Sequence, residues 1–201
     1  MTKAAVGFRA HSGWSALVAV AAGARWPVVI DRRRIELADA AIPGSMQPYH
    51  AAEPMKLKDA ETYIQRSIDQ ARLLAQRALH AAIDELRKSG HEVAGCGILL
   101  ASGRPAPALA AILASHPLIH TAEGELFRDA LRYASERCKL PVTAVKERDL
   151  FERASAELRI PSGELQRRVA EMGRAIGPPW RQDQKLAAVV AWLALAGDVT
   201  L

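Results

Sequence analysis

The sequence predicts a mixed α/β fold in which three antiparallel strands precede two parallel strands, with helices on both faces of the sheet and a helical C-terminal part. Three observations carry this. Apolar, β-compatible runs at residues 4–10 and 14–22 flank Ser12-Gly13, the pattern of a hairpin closed at a turn. Residues 59–88 repeat apolar positions at three- and four-residue steps, which marks one face of a long helix. Residues 93–101 form a continuous apolar run of strand length, as expected of a strand covered on both faces.

The elements follow in order. After the hairpin, Pro27-Val28-Val29-Ile30 leads into Arg32, Arg33, Arg34, Ile35, Glu36 and Leu37, a third strand whose alternation suits a sheet edge. Residues 38–58, with three prolines, Gly44 and Ser45, read as an irregular surface connection. Gly90 ends the long helix. Helical segments are expected at 106–115 and 121–138, a short strand at 141–145, and helices at 149–158, 162–176 and, beyond Pro178-Pro179, 183–196.

The chain has 201 residues, half of them hydrophobic, within reach of one core. The reading is one domain over 1–201, made of a β-meander (1–37), the irregular connection (38–58), an α-β-α-β unit (59–145) and C-terminal helices (146–201). The net charge is +5, and it sits at one end. Residues 1–34 hold Lys3, Arg9, Arg25, Arg32, Arg33 and Arg34 against Asp31 alone, while the other 21 basic residues meet 21 acidic ones. Such a quarter can attract nucleic acid or an acidic partner, or simply form a solvated edge that discourages aggregation.

Cys96 and Cys138 show no CxxC or Cys/His spacing, so reduced thiols are expected rather than a disulfide or a metal centre. Arg9, His11, Ser12 and Gly13 interrupt the N-terminal apolar stretch, unlike a signal peptide, and no run is long enough to span a membrane. A soluble, cytoplasmic protein without a membrane partner is expected.

The order β-β-β-α-β-α-β-α resembles the ribonuclease H-like superfamily, and within it the Holliday-junction-resolvase-like bacterial domains. The resemblance rests on Ala5-Val6-Gly7-Phe8-Arg9-Ala10-His11-Ser12-Gly13-Trp14-Ser15-Ala16-Leu17-Val18 as the first hairpin, on Leu140-Pro141-Val142-Thr143-Ala144-Val145 as the fifth strand, and on Lys185 to Leu195 as the terminal helix. It implies carboxylates converging on the sheet to hold Mg²⁺ for phosphodiester cleavage. The sequence departs from that pattern. Residues 1–30 contain no Asp or Glu, Arg9 stands where the resemblance calls for an acid, and Leu100-Ala101-Ser102-Gly103-Arg104 ends the fourth strand without one. Asp183 alone carries the right charge near an implied position, with Lys185 two residues on. The same gap argues against actin-like and sugar-kinase relatives, and no Walker A or GxGxxG motif compensates. The glycines of Gly95-Cys96-Gly97 suit close backbone packing.

Basic and hydroxylic groups take the place of the acids: Arg9, His11 and Ser12 at the hairpin, Ser102 and Arg104 after strand four, Lys146 and Arg148 after strand five. Gathered at the strand ends, where open α/β sheets bind ligands, these would suit an anion; apart, they are ordinary loop charges. His116, His120 and Glu123 form the densest group of reactive side chains, but Pro117 is expected to break any helix placing both histidines on one face, leaving Thr121 as an N-cap. His50 and Glu53 in the irregular connection stand further off. No metal centre is expected. Trp26 beside Arg25, or Trp180 beside Arg181, could stack on a base; Trp192 reads as core.

Two functions follow. One is a non-catalytic, degenerate ribonuclease H-like domain, with no cofactor, that binds nucleic acid or an acidic protein through the basic hairpin. The other is an enzyme: a Mg²⁺-dependent nuclease with relocated acids drawn from Glu123, Glu147, Asp149 and Asp183, with Lys185 as a further catalytic candidate, or an enzyme on a small anionic substrate using Arg9, His11 and Ser102. An oligomeric scaffold built on the long helix is a third possibility.

Overall fold

The computed structural model describes residues 1–101 and 106–197. Its sheet contains β1 (Thr2–His11), β2 (Trp14–Ala21), β3 (Val28–Glu36), β4 (His91–Leu100) and β5 (Val142–Lys146), in the spatial order β3-β2-β1-β4-β5. The pairs β1–β2 and β2–β3 are antiparallel, and β1–β4 and β4–β5 are parallel. This is the meander followed by parallel strands that the sequence predicts. Ser12-Gly13 closes the hairpin, with Gly13 at φ 78°, a conformation that favours glycine.

The helices are α1 (Pro48–Ala52), α2 (Leu57–Lys88), α3 (Leu109–Leu113), α4 (His116–Arg137), α5 (Leu150–Leu158), α6 (Ser162–Met172) and α7 (Gln182–Gly197). Four differ from expectation, among them α3, which spans 5 residues of the expected 106–115. The irregular connection contains the short helix α1, and α6 stops at Met172. Helix α4 starts five residues earlier than expected, because Pro117 occupies its first turn, where the missing N–H has no intrahelical acceptor to lose.

Strand alternation assigns side chains to two layers. Val6 and Phe8 of β1, with Cys96 and Ile98 of β4, face Ala75 and Leu79 of α2 and Phe127 and Leu131 of α4. The opposite face meets α7, whose residues from Leu186 to Leu195 are all buried. A helix apolar on every side must be enclosed, and α7 lies between the sheet and the α5–α6 pair. Gly7 and Gly97 are direct partners across β1 and β4. A Cβ on Gly7 would lie 2.0 Å from the Ala187 carbonyl oxygen, and one on Gly97 2.3 Å from that of Val190. The two glycines therefore let the α7 backbone rest directly on the sheet.

Among the described residues no helix is long and apolar enough to cross a membrane. Cys96 and Cys138 are unbridged. Burial pushes the Cys96 thiol up to about 12, against a smaller opposing effect of its hydrogen bond with Ser135.

Candidate functional site

The alternation that aims Gly7 at α7 also aims Arg9 and His11 there, two and four residues further along β1. Helix α7 begins beside the end of β1 and carries Asp183 in its first turn, where the helix dipole favours an acid. Parallel β5 ends at the same edge and is followed by Glu147. The Arg9 guanidinium joins both acids. Its Nε and Nη2 donate to the Glu147 carboxylate at 3.0 and 2.9 Å, its Nη1 donates to Asp183 Oδ1, and His11 Nε2 lies 3.0 Å from the same oxygen. The two bonds to Glu147 form the fork that guanidinium geometry favours.

These contacts shape the titrations. The hydrogen bond to Glu147 raises the Arg9 pKa above its ordinary value; burial opposes this and Asp183 reinforces it. Burial would raise Asp183, but the hydrogen bonds from Arg9 and His11 outweigh it and hold the carboxyl below the usual range. His11 also stacks on Trp14, with ring centroids 4.3 Å apart, and the Arg34 guanidinium carbon lies 4.3 Å from the Trp14 ring centre.

This donor set does not fit a hard divalent cation as it stands. Such an ion needs several oxygens in its first shell, and the position between Glu147 and Asp183 is spanned by a guanidinium. Two of the four acids offered by the sequence as relocated ligands, Glu147 and Asp183, do meet. Asp149 instead pairs with Arg148 at 3.1 Å, and Glu123 bonds to α1. Lys185 follows Asp183 by two helical positions, and residues so spaced do not share a helix face.

Beside the Arg9 cluster lies an open cavity of about 540 Å³, lined by Arg9, Leu100, Arg128, Glu147, Arg148 and Gln182, among others. Arg128 comes from the middle of α4; its Nη2 reaches Glu125 at 3.1 Å, while its buried Nε has no hydrogen-bond partner among the described residues. Of the anion set expected from sequence, Arg9 and Arg148 line this cavity. His11 joins it indirectly through Asp183, Ser12 sits in the hairpin turn, and Lys146 is exposed at the end of β5. Ser102 and Arg104 lie outside the described residues. Sequence reading missed Arg128, since nothing in helix periodicity says which polar residue will reach the strand ends.

The arginines of β3 are engaged within the molecule. Arg32 donates to the carbonyls of Gly177, Pro178 and Pro179. Arg33 bridges Asp31 and Glu85, and Arg34 pairs with Glu36. The tryptophans considered for stacking are packed instead. Trp26 meets Trp192 edge-on, and Trp180 lies against Gly173 and donates to the Val169 carbonyl at 2.8 Å.

A second cluster overturns the expectation for Pro117. Because the proline sits in the first turn of α4, the helix continues through it, and His116 and His120 face each other with their Nε2 atoms 3.0 Å apart. Thr121 is not an N-cap; its hydroxyl donates to the Pro117 carbonyl inside the helix. His50 of α1 completes the group, with ring centroids 5.2 and 4.7 Å from those of His116 and His120. Glu123, 2% exposed, accepts hydrogen bonds from the backbone N–H groups of Tyr49 and His50 and contacts His50 Nδ1 at 3.2 Å. Burial pushes its carboxyl up, only partly offset by those hydrogen bonds.

No protein-family model matches the chain, and no curated protein sequence matches it. Solved structures do. A structure of RuvC from Thermus thermophilus superposes with a TM-score of 0.50 at 13% identity, over 96% of this chain and 92% of that one. A second, described as T. thermophilus RuvC in complex with Holliday junction substrate, gives a TM-score of 0.54 at 11% identity, over 98% and 96%. The chain thus shares the ribonuclease H-like α/β fold of these structures, as the order of strands and helices implied.

Proposed function

We propose that this resolvase-like domain binds nucleic acid through the strand-end face beside β1, and that it does not cut by a two-metal route. The observation that carries the reading is the Arg9 guanidinium spanning Glu147 and Asp183. A fixed internal cation neutralises the acids that would otherwise gather metal ions, and it leaves a face bordered by Arg128, Arg148 and Lys146 for phosphate groups. Arginine forks suit phosphate oxygens, and binding of this kind is dominated by the backbone and released by salt. Arg32 is held by three backbone carbonyls and Arg33 by two carboxylates, whereas Arg128 and Arg148 each meet a single acid, which favours this face over the edge of the hairpin. A neighbour of the same fold is seen with a Holliday junction, which guides the choice of probe.

The test is fluorescence anisotropy with a labelled four-way junction, a duplex and a single strand over a series of KCl concentrations. Three phosphate contacts give a slope of log K against log[salt] of about −3. Arg148→Ala should weaken binding to all probes and make the slope shallower by about 1. Binding that is absent or indifferent to salt refutes nucleic-acid recognition.

The meeting of Glu147 and Asp183 favours one second reading, a nuclease with relocated acids in which Arg9 swings away when substrate arrives. Incubating the same junction with Mg²⁺ or Mn²⁺ separates the two. Cleavage abolished by Asp183→Asn supports the nuclease; an intact junction supports the binding module.

A further inference from the structure

We propose that His50, His116 and His120 form a binding site for a divalent transition-metal ion of the zinc class, with Glu123 as a positioning residue and a fourth coordination position open to water. One ring nitrogen from each histidine lies within 4.8 Å of the others. They come from two elements: His116 and His120 are one turn apart on α4, and His50 is held against them by α1. Tetrahedral zinc takes imidazole nitrogens at about 2.0–2.1 Å, which separates neighbouring ligand atoms by about 3.3–3.4 Å. The 3.0 Å between the Nε2 atoms of His116 and His120 needs a few tenths of an ångström of parting, and the His50 nitrogen, within 4.8 Å of the others, closes by up to about 1.4 Å to complete the set. The imidazole set suits zinc, copper, nickel or iron and not magnesium or calcium.

The supporting carboxylate is the second observation. A metal-binding histidine usually donates its other ring N–H to a carboxylate or carbonyl, which fixes the tautomer and the ring orientation. His50 Nδ1 has that partner in Glu123 at 3.2 Å, and this leaves Nε2 as the nitrogen His50 can offer. Glu123 is held in turn by the backbone N–H groups of Tyr49 and His50. His116 and His120 are exposed, so an ion there reaches solvent and keeps an open position, as three-histidine sites do. The site lies on α1 and α4 and shares no residue with the Arg9 cluster.

The experiment is a titration of tag-free, full-length protein with Zn²⁺ in competition with a chromophoric chelator, followed by the visible spectrum of the Co²⁺-loaded form. The expected result is one Zn²⁺ per chain, lost in His116→Ala and His120→Ala, whose melting curves without metal match the parent because both side chains are exposed. Glu123→Gln should weaken binding about 10- to 100-fold and alter the Co²⁺ spectrum. A purely structural role for Glu123 would shift the metal-free melting curve and leave the affinity of the folded protein unchanged. No stoichiometric Zn²⁺, or affinity unchanged in both histidine variants, overturns the proposal and leaves a hydrogen-bonded His116–His120 pair with His50 in ring contact.

Discussion

Replacing Gly7 with alanine should cost this protein about 3 kcal/mol, for a reason visible in the seat of α7. The added Cβ would lie 2.0 Å from the Ala187 carbonyl oxygen, 2.8 Å from the Ala191 nitrogen and 2.9 Å from the Ala191 Cβ. Ordinary contact begins near 3.4 Å, so the helix must retreat by about 1.4 Å. No rotamer relieves the clash, because two of the three atoms are backbone. A gap of 0.5–1 Å already forfeits a quarter to a half of a dispersion contact, and α7 is packed along its whole buried length. Overpacking costs about 1–3 kcal/mol and occasionally more, and a clash with backbone belongs at the upper end. For a chain of this size about 3 kcal/mol lowers the melting temperature by about 6–12 °C. Thermal melts and urea midpoints of Gly7→Ala against the parent provide the assay. Asp183 rides on α7, so the same variant should loosen the Arg9–Asp183 contact. A melting temperature within about 2 °C of the parent would refute the claim that the two glycines seat the helix.

Two further outcomes are expected. The same substitution at Gly163 should have the opposite sign: nothing lies within 4 Å of its added Cβ, and alanine inside α6 restricts the unfolded chain, so stability should rise by about 0.4–1 kcal/mol; a lower urea midpoint would contradict this. Asp183 has a depressed pKa in the folded protein, so its stabilising contribution is present above its unfolded value of about 3.9 and is lost as pH falls through the folded value. The stability gap between the parent and Asp183→Asn should therefore be widest near neutrality and narrow below about pH 4; urea midpoints at pH 7 and pH 3 with the same gap would count against the ion pair.

Much of the fold is legible because its signals are local. Ser12-Gly13 between two apolar runs marks a hairpin, the three- and four-residue steps through Ile64, Ile68, Ala71, Ala75, Leu79, Ala82 and Leu86 mark α2, and unbroken apolar content marks β4 and α7. Pro117 misleads for the same reason, since a proline has the same local signature inside a helix as in its first turn. Only the surrounding chain decides which of these it occupies.

The sequence by itself determined that the first strand lacks an acid and carries Arg9, that the N-terminal quarter holds the net charge, and that three antiparallel strands precede two parallel ones. Tertiary structure alone decided what those charges meet. Arg9 finds Glu147 and Asp183 at separations of 138 and 174 residues, because parallel pairing brings the ends of β1 and β5 to one edge and two glycines let α7 start beside them. His50 meets His116 and His120 because α1 packs against α4. The arginines of β3 are satisfied by partners as distant as Gly177, so a charge count overstates the cation they present to solvent. Periodicity is written along the chain, whereas electrostatic partners depend on sheet order and on the rotation of each helix about its axis.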